Sequence, residues 1–400
     1  MILIFFHTVT LCVIGGFLLH LFLLSVLAAF ARTRTVHPAG RLRKIAVVIP
    51  AHNEELTIAE TVRNVRDIYY PPEFFQVIVV ADNCHDATGE IALREGAQVL
   101  TRTTTGERSK GHALRWCFDR LQGTDFEAVA VVDADTVVSP NFLTVLNMYF
   151  ASGSEVIQCN DQVRPHHGAW SPEAIRLGFA LNNYVRPLGR KTIGCSAGLR
   201  GNGMAFSMGV LRRIPWESYS QAEDLEHSLR LALQGVRVAF APEATLLATM
   251  TQDPRLAESQ RTRWEMGRFP LMRKYAVKLL IASFRHHSWV TADTLIDLLT
   301  PALVNLVGLA VLLGIIALFQ YLAGDSSMLL FAGLWGGAVV LGVLHGVIGL
   351  LVAGSARSLI SLFWLAPRYA VWKVALYLKI ARGKRSRAWV RTAREPGGIR

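Results

Sequence analysis

Three long stretches of the chain contain no charged residue, and they lie near its two ends. No Asp, Glu, Lys or Arg occurs before Arg32, between Asp297 and Asp325, or between Asp325 and Arg357. Each stretch is longer than the roughly 20 residues that a helix needs to cross a bilayer. The pattern therefore predicts three transmembrane helices, at about residues 8–30, 298–321 and 328–353.

The basic residues beside these stretches predict their orientation. Arg32, Arg34 and Arg41 follow the first stretch, whereas the short hairpin between the other two carries only Asp325. Lys and Arg accumulate on the cytoplasmic side of membrane proteins, so residues 32–297 are predicted to face the cytoplasm. The first stretch lacks the basic start of a signal peptide and is too long for one. We expect a multi-pass protein of the inner (plasma) membrane.

Between the predicted spans, short apolar runs alternate with helical patterns. The runs, rich in β-branched residues, lie at 45–50, 77–81, 97–100 and 128–133. The helical patterns lie at 54–67, 86–95 and 110–121. This alternation predicts an α/β domain with a doubly wound, mostly parallel sheet covered by helices on both faces. Such sheets bind ligands beyond the carboxyl ends of their strands.

Carboxylates follow three of the predicted strands at that edge. Glu54 follows the first strand, Asp82 the second, and Asp133 and Asp135 the fourth. A single Asp at a strand end is usually a turn or cap residue, but four acids in this order would converge. Crowded carboxylates are costly to desolvate unless a cation lies among them. A hard divalent ion, Mn²⁺ or Mg²⁺, that carries a diphosphate would suit this edge.

Two later segments carry further candidate chemistry. Glu223, Asp224 and Glu226 fill the first turn of a predicted helix, where acids suit the helix dipole; their mutual repulsion would also make one of them a better base. The segment "ESQRTRWEMGRF", residues 258–269, is a probable helix with a Gln, an Arg and a Trp on neighbouring turns. These side chains suit a sugar or a diphosphate, or an anchor at headgroup depth.

Composition narrows the class of protein. The chain is 52% hydrophobic, with a formal net charge of +12. Such a charge also suits nucleic acid, but much of it flanks the predicted spans, where anionic inner-leaflet lipid explains it; we expect no nucleic-acid partner. Five cysteines without CxxC or His-paired spacing predict no zinc site. The sequence contains neither G-x-x-x-x-G-K-[ST] nor G-x-G-x-x-G, which disfavours the enzymes that use those phosphate loops.

Seven short segments together resemble a known family. They are "VVIPAHNEE", "VVADNCHD", "SKGHALR", "VVDADT", "GNGMAF", "AEDLE" and "QRTRW". In this order and flanked by spans, they resemble membrane-bound family 2 glycosyltransferases of the cellulose synthase, chitooligosaccharide synthase and hyaluronan synthase type, over about residues 44–270. The resemblance implies a GT-A fold and an inverting, metal-dependent transfer of a hexose from a UDP-sugar.

The resemblance also implies a role for each matching residue. Asp224 would be the general base, and Asp135 would bind the metal. The nucleotide sugar would be bound by Glu54, Asp82, Lys110 and Asp133. The diphosphate and the acceptor would be contacted by Gln260, Arg263, Trp264 and Gly203; the glycine equally suits a tight structural turn.

The predicted organisation has five parts. They are an N-terminal transmembrane helix (1–31), a cytosolic GT-A domain (32–257), interfacial helices with the Gln-x-x-Arg-Trp motif (258–297), two transmembrane helices (298–356), and an interfacial helix with a basic cytosolic tail (357–400). Three transmembrane helices are few to enclose a channel for a polymer. A membrane-bound, lipid-linked acceptor is therefore favoured.

Two alternatives stay open. A processive exopolysaccharide synthase, which makes a β-linked polysaccharide, would build its channel as an oligomer. A non-catalytic nucleotide-sugar sensor or subunit would need the nucleotide contacts but not the base.

Overall fold

The computed structural model describes residues 1–32, 40–164, 170–249 and 254–355, together with 359, 364–365, 368–373 and 377. Side chains are described within these ranges except at 170–172, 254–261 and 263–265. The basic tail from 378 onward, and with it most of the predicted 357–400 region, lies outside the described residues. The described chain forms two compact units.

The helices of the described chain are numbered in order. They are α1 Ile2–Ala29, α2 Ile58–Arg66, α3 Thr88–Arg94, α4 Lys110–Leu121, α5 Phe142–Ala151, α6 Trp170–Phe179, α7 Arg186–Thr192, α8 Met208–Arg213, α9 Glu223–Leu233, α10 Pro254–Arg285, α11 Trp289–Leu299, α12 Leu303–Leu322 and α13 Met328–Val352. A 3-10 turn at Pro72–Phe74 and a π-helical turn at Ala180–Val185 complete the helical elements.

One unit, which includes residues 40–179 and 194–298, contains the sheet. Its strands are β1 Ile45–Ala51, β2 Phe75–Asp82, β3 Gln98–Arg102, β4 Ala128–Val131, β5 Thr136–Val138, β6 Val156–Val163, β7 Met204–Ser207 and β8 Val238–Ala248. Their order is β3-β2-β1-β4-β7-β6-β8-β5. Strands β3, β2, β1 and β4 run parallel, β7 is antiparallel to both its neighbours, and β8 is parallel to β6. The predicted mostly parallel α/β sheet is confirmed.

The apolar runs of the sequence form the centre of this sheet. Residues Ile45–Ile49 of β1 and all of β4 are completely buried. Strands covered on both faces need continuous apolar runs rather than alternation, which explains why the sequence pattern found them. The predicted helix at 110–121 matches α4 at both ends. The one predicted at 54–67 begins later, at Ile58, because residues up to Thr57 form a turn after β1.

The other unit contains residues 1–31, 180–193 and the described residues from 299 onward. Helices α1, α12 and α13 are long and apolar enough to cross a membrane. The helix of the second predicted span begins at Leu303 rather than 298, because Pro301 disfavours a helix at the residue before it.

The segment 180–193 lies between β6 and β7 in the sequence, yet it packs with the candidate membrane-spanning helices. A Cβ added to Gly189 of α7 would lie 2.3 Å from the carbonyl oxygen of Leu24 in α1. Small residues allow helices to approach this closely. The sequence pattern did not reveal this insertion, since the segment is short and carries two arginines.

Candidate active site

The carboxyl edge of the sheet holds the first two predicted residues. Glu54 follows β1, and its backbone N–H donates to Thr88 Oγ1 over 2.7 Å. Asp82 ends β2 and is buried; its Oδ1 accepts hydrogen bonds from Arg102 Nη1 at 2.7 Å and from Asn83 Nδ2 at 3.0 Å. The Arg102 pairing was not predicted. The sequence feature that could have indicated this pairing is a basic residue at the end of β3, the strand beside β2.

The side chain of Lys110 connects two other segments at the carboxyl edge of the sheet, those of Asp133 and Gly201. It begins α4, whose first turn is capped by a hydrogen bond from His112 N–H to Ser109 Oγ at 3.3 Å. Lys110 Nζ donates to Asp133 Oδ1 and to the carbonyl oxygen of Gly201, the latter over 2.6 Å. Burial by itself lowers the pKa of Lys110, but the carboxylates of Asp133 and Glu223 outweigh burial and raise it. The lysine is therefore a fixed cation.

Asp224 lies in the first turn of α9, beside the same glycine. A Cβ added to Gly201 would lie 3.3 Å from Asp224 Oδ2 and 3.9 Å from Lys110 Nζ. Burial raises the pKa of Asp224, against the opposing effects of the Leu225 N–H and the charges of Lys110 and Arg200. The structure thus brings Asp224, Lys110 and Asp133 together around Gly201.

The three acidic side chains of α9 do not share one set of contacts. Glu226 is buried and accepts hydrogen bonds from Lys274 Nζ at 2.7 Å and Tyr275 Oη at 3.2 Å, both on α10. Burial raises its pKa, but the contacts with Lys274 and Ser220 together outweigh burial and lower it. Repulsion among the three acids was expected to raise the pKa of one of them; for Asp224 the largest cause of the raised pKa is burial instead.

Asn202 holds the Asp133–Asp135 loop in place. Its Oδ1 accepts from the Asp133 N–H at 3.0 Å, while its Nδ2 donates to Thr136 Oγ1 at 3.1 Å and to Asp161 Oδ1 at 2.9 Å. Two of these hydrogen bonds fix the two ends of the loop from Asp133 to Thr136, and the third connects the loop to β6.

Asp161 is a fifth carboxylate that sequence reasoning missed. Burial raises its pKa well above the ordinary value, and the charges of Asp133 and Asp135 raise it further, while Asn202 opposes them. The residue lies inside β6, in "QCNDQV", without the strand-end position that marked the other acids. Its one signal was an acid within an otherwise strand-like run.

The crowding of these acids bears on the expected metal. The charges of Asp133 and Asp135 raise the pKa of the buried Asp161, and hard carboxylate oxygens of this kind suit Mg²⁺ or Mn²⁺. Among the described residues, no group of three or more His, Cys, Asp or Glu side chains is arranged to hold a metal ion. One or two protein carboxylates together with the oxygens of a diphosphate would be compatible with this arrangement.

Of the last four predicted residues, the structure describes the surroundings of Gly203. Gln260, Arg263 and Trp264 fall in α10, where their side chains lie outside the described residues. Gly203 is described: its N–H donates to the Val131 carbonyl oxygen at 3.0 Å. Its φ is +67°, and a Cβ there would lie 2.6 Å from Leu246 Cδ1. Packing within the sheet therefore accounts for the glycine.

The fold is that of a GT-A glycosyltransferase. Residues 42–267 match the family model described as "Glycosyltransferase like family 2". The chain belongs to this family.

Relatives and a solved structure agree with this assignment. A probable glycosyltransferase of Bacillus subtilis, YdaM, is 26% identical over 61% of this chain and 58% of its own length. A β-monoglucosyldiacylglycerol synthase of Trichormus variabilis is 26% identical over 60% of this chain and 52% of its own length. The chain thus spans little more than half of these relatives. The mannosyltransferase PcManGT of Pyrobaculum calidifontis, solved with GDP-Man and Mn²⁺, has a TM-score of 0.52 at 15% identity, over 85% of this chain and 97% of its own.

Proposed function

We propose that the protein is an inverting, metal-dependent hexosyltransferase that moves a sugar from a UDP-sugar to a lipid acceptor in the membrane. The observation that carries this proposal is the meeting of Asp224, Lys110 and Asp133 around Gly201. Asp224, a buried carboxylate with a raised pKa, can act as the base. Lys110, the ammonium group beside it, can stabilise negative charge.

In the proposed reaction, Asp224 accepts the proton of the acceptor hydroxyl as its oxygen attacks the anomeric carbon. The bond between that carbon and the diphosphate oxygen breaks, and UDP leaves with the electron pair. Single displacement inverts the anomeric centre. Lys110 is assigned the role of stabilising the growing charge of the leaving group, and a base within hydrogen-bond reach accelerates such a step by about 10²–10⁴-fold.

The other predicted residues take supporting roles in this proposal. Glu54 and Asp82 bind the uridine, Asp133 lies by the ribose or the diphosphate, and Asp135 is the protein ligand of Mn²⁺ or Mg²⁺. When bound, the metal neutralises diphosphate charge. Contacts to the diphosphate and the acceptor are assigned to Gln260, Arg263, Trp264 and the backbone at Gly203.

A lipid acceptor is favoured over a growing polymer. The described residues contain three helices able to cross a membrane, which are few for the walls of a polysaccharide channel. Relatives named β-monoglucosyldiacylglycerol synthase support a glycolipid product. A processive synthase is the alternative, supported by the Gln-x-x-Arg-Trp segment, and would require an oligomer.

One variant tests the proposal. The full chain in lipid nanodiscs is given a panel of nucleotide sugars with Mn²⁺, and products are separated into lipid-soluble and polymeric fractions. Asp224→Asn is expected to lower transfer by about 10²–10⁴-fold while UDP binding, measured by calorimetry, stays within a few-fold. Asp119→Asn, at an exposed site of α4, is the matched control.

Three outcomes would contradict parts of the proposal. Transfer by Asp224→Asn near the wild-type rate would remove the assigned base. Nucleotide binding without transfer in the wild-type protein, on every acceptor, would favour a sensor. A polymeric product would replace the lipid acceptor by the processive alternative.

A further inference from the structure

The C-terminal half of α10 is buried along one face. Leu271, Tyr275 and Leu279, spaced four residues apart, pack against a cluster that includes Leu229 of α9 and Leu298 of α11. Residues at this spacing share one side of a helix. This face attaches α10 to the catalytic domain.

The opposite face is also apolar, but it is exposed. Val277, Leu280, Ile281 and Phe284 follow the i, i+3, i+4, i+7 spacing of one helical stripe. Val277 is 64% exposed and Phe284 74%, and Trp289 at the start of α11 is 63% exposed. A contiguous exposed apolar patch of this kind marks an interaction surface. We call these four α10 residues and Trp289 the α10 stripe.

The charge around the stripe has one sign. The sequence contains no acid between Glu265 and Asp293, while five basic residues occur there: Arg268, Arg273, Lys274, Lys278 and Arg285. Lys274, Lys278 and Arg285 are exposed on the side of the helix next to Val277 and Ile281. Long basic side chains beside an apolar stripe can reach anionic headgroups while the stripe lies in the acyl boundary.

A cleft of about 350 Å³ opens between α9 and α10 beside the stripe, lined in part by Arg230, Lys274 and Lys278. Two of these cations already have partners: Arg230 pairs with Glu217 at 2.6 Å, and Lys274 with Glu226 at 2.7 Å.

Lys278 supplies the uncompensated charge of the cleft. Its Nζ lies 5.7 Å from the centre of the Tyr275 ring. Within the described part of the chain, no carboxylate lies at ion-pair distance from it.

We propose that this surface binds an anionic phospholipid, with its acyl chains along the α10 stripe and its phosphate in the cleft beside Lys278. A bilayer suits the stripe better than a protein partner does, because basic residues border it and a Trp, typical of membrane interfaces, lies at its end. The chain also continues from α11 directly into α12, a candidate span. The lipid contact does not depend on the sugar-transfer chemistry.

Photo-crosslinking tests the contact without any activity assay. The full chain is placed in phosphatidylcholine nanodiscs that contain a photoactivatable phosphatidylglycerol, and labelled peptides are mapped by mass spectrometry. We expect adducts within 274–289, with α12 peptides as the positive control and α2 peptides as the negative control. Labelled α12 together with unlabelled 274–289 would overturn the proposal and indicate that another partner covers the stripe.

A charge variant tests the headgroup site. Lys278→Gln is expected to lower the preference of this segment for labelled phosphatidylglycerol over labelled phosphatidylcholine by about fivefold, the factor that corresponds to about 1 kcal/mol per surface lysine. The control is Arg94→Gln, which removes an exposed charge from α3. Equal labelling by the two lipids in the wild-type protein would overturn the headgroup assignment.

Discussion

Asn202 Nδ2 lies 2.9 Å from Asp161 Oδ1, and both side chains are buried beneath the loop that carries Asp133 and Asp135. The amide donates to the acid and, through its own oxygen, holds the backbone N–H of Asp133. The two residues therefore connect β6 to the loop that is assigned to the diphosphate and the metal.

Exchanging the amide and the carboxylate between positions 202 and 161 tests the role of this hydrogen bond. Asn202→Asp replaces the donor by a second carboxylate facing Asp161, and we expect metal affinity or activity to fall by about 10–100-fold, as for other residues that orient metal ligands. Adding Asp161→Asn exchanges donor and acceptor, so the double variant should regain most of the loss. The measurement is the Mn²⁺ concentration that gives half-maximal transfer.

The single variant Asp161→Asn is the control, because its amide oxygen still accepts from Asn202. If the double variant is no better than Asn202→Asp, the hydrogen bond is not what positions the loop. A lowered unfolding temperature without a change in Mn²⁺ dependence would indicate a purely structural pair.

Arg200 affects the pKa of Asp224, and so the pH range over which the proposed base is ionised. Its charge lowers the pKa of Asp224, against the larger effect of burial. Arg200→Gln removes that charge, so the pKa of Asp224 rises and the acidic limb of the kcat/KM profile moves to higher pH. Arg200→Lys keeps the charge and should leave the limb nearly in place. An unchanged limb in Arg200→Gln would argue against Asp224 as the titrating base.

Gly111 fixes the approach of α4 to the loop before α9. A Cβ at this position would lie 2.2 Å from the carbonyl oxygen of Ser218, a backbone atom that cannot rotate away. Gly111→Ala should destabilise the protein by about 1–3 kcal/mol, as overpacking does, and should displace the adjacent Lys110. Thermal unfolding and the KM for the donor measure the two effects. Gly106→Ala, with no atom within 4 Å of the added Cβ, should change neither.

His227 makes the catalytic domain sensitive to acid. Its ring is fully buried, with its centre 4.4 Å from that of Trp216, and neither ring nitrogen has a hydrogen-bond partner in the described structure. Burial lowers its pKa from 6.5 to about 3. Between these values the unfolded chain binds a proton that the folded chain does not, so stability is complete above pH 6.5 and falls as pH decreases.

The expected slope is about 1.4 kcal/mol for each pH unit below the unfolded pKa. His227→Phe keeps an aromatic ring and should flatten the dependence of unfolding temperature on pH between about 6 and 4, the range set by the two pKa values. The exposed His85, replaced by Gln, controls for the loss of a histidine. A slope in His227→Phe equal to that of the wild type would assign the acid sensitivity to other groups.

Features that depend on local pattern could be predicted from the amino-acid sequence. Uncharged stretches long enough to cross a bilayer, buried apolar runs and the acids that follow them are all properties of neighbouring residues. They sufficed to predict α1, α12, α13, the parallel strands β1 to β4 and the positions of Asp82, Asp133 and Asp135 at one edge.

Contacts between residues far apart in the sequence could not be predicted and follow from the folded structure. Asp161 and Asn202 are 41 residues apart, and no periodicity in either segment indicates that they pair. The segment 180–193 belongs to the unit of α1, α12 and α13, where Gly189 packs closely against α1, and burial is the largest cause of the raised pKa of Asp224. Burial and long-range pairing depend on how the whole chain packs, whereas apolar spacing is set residue by residue.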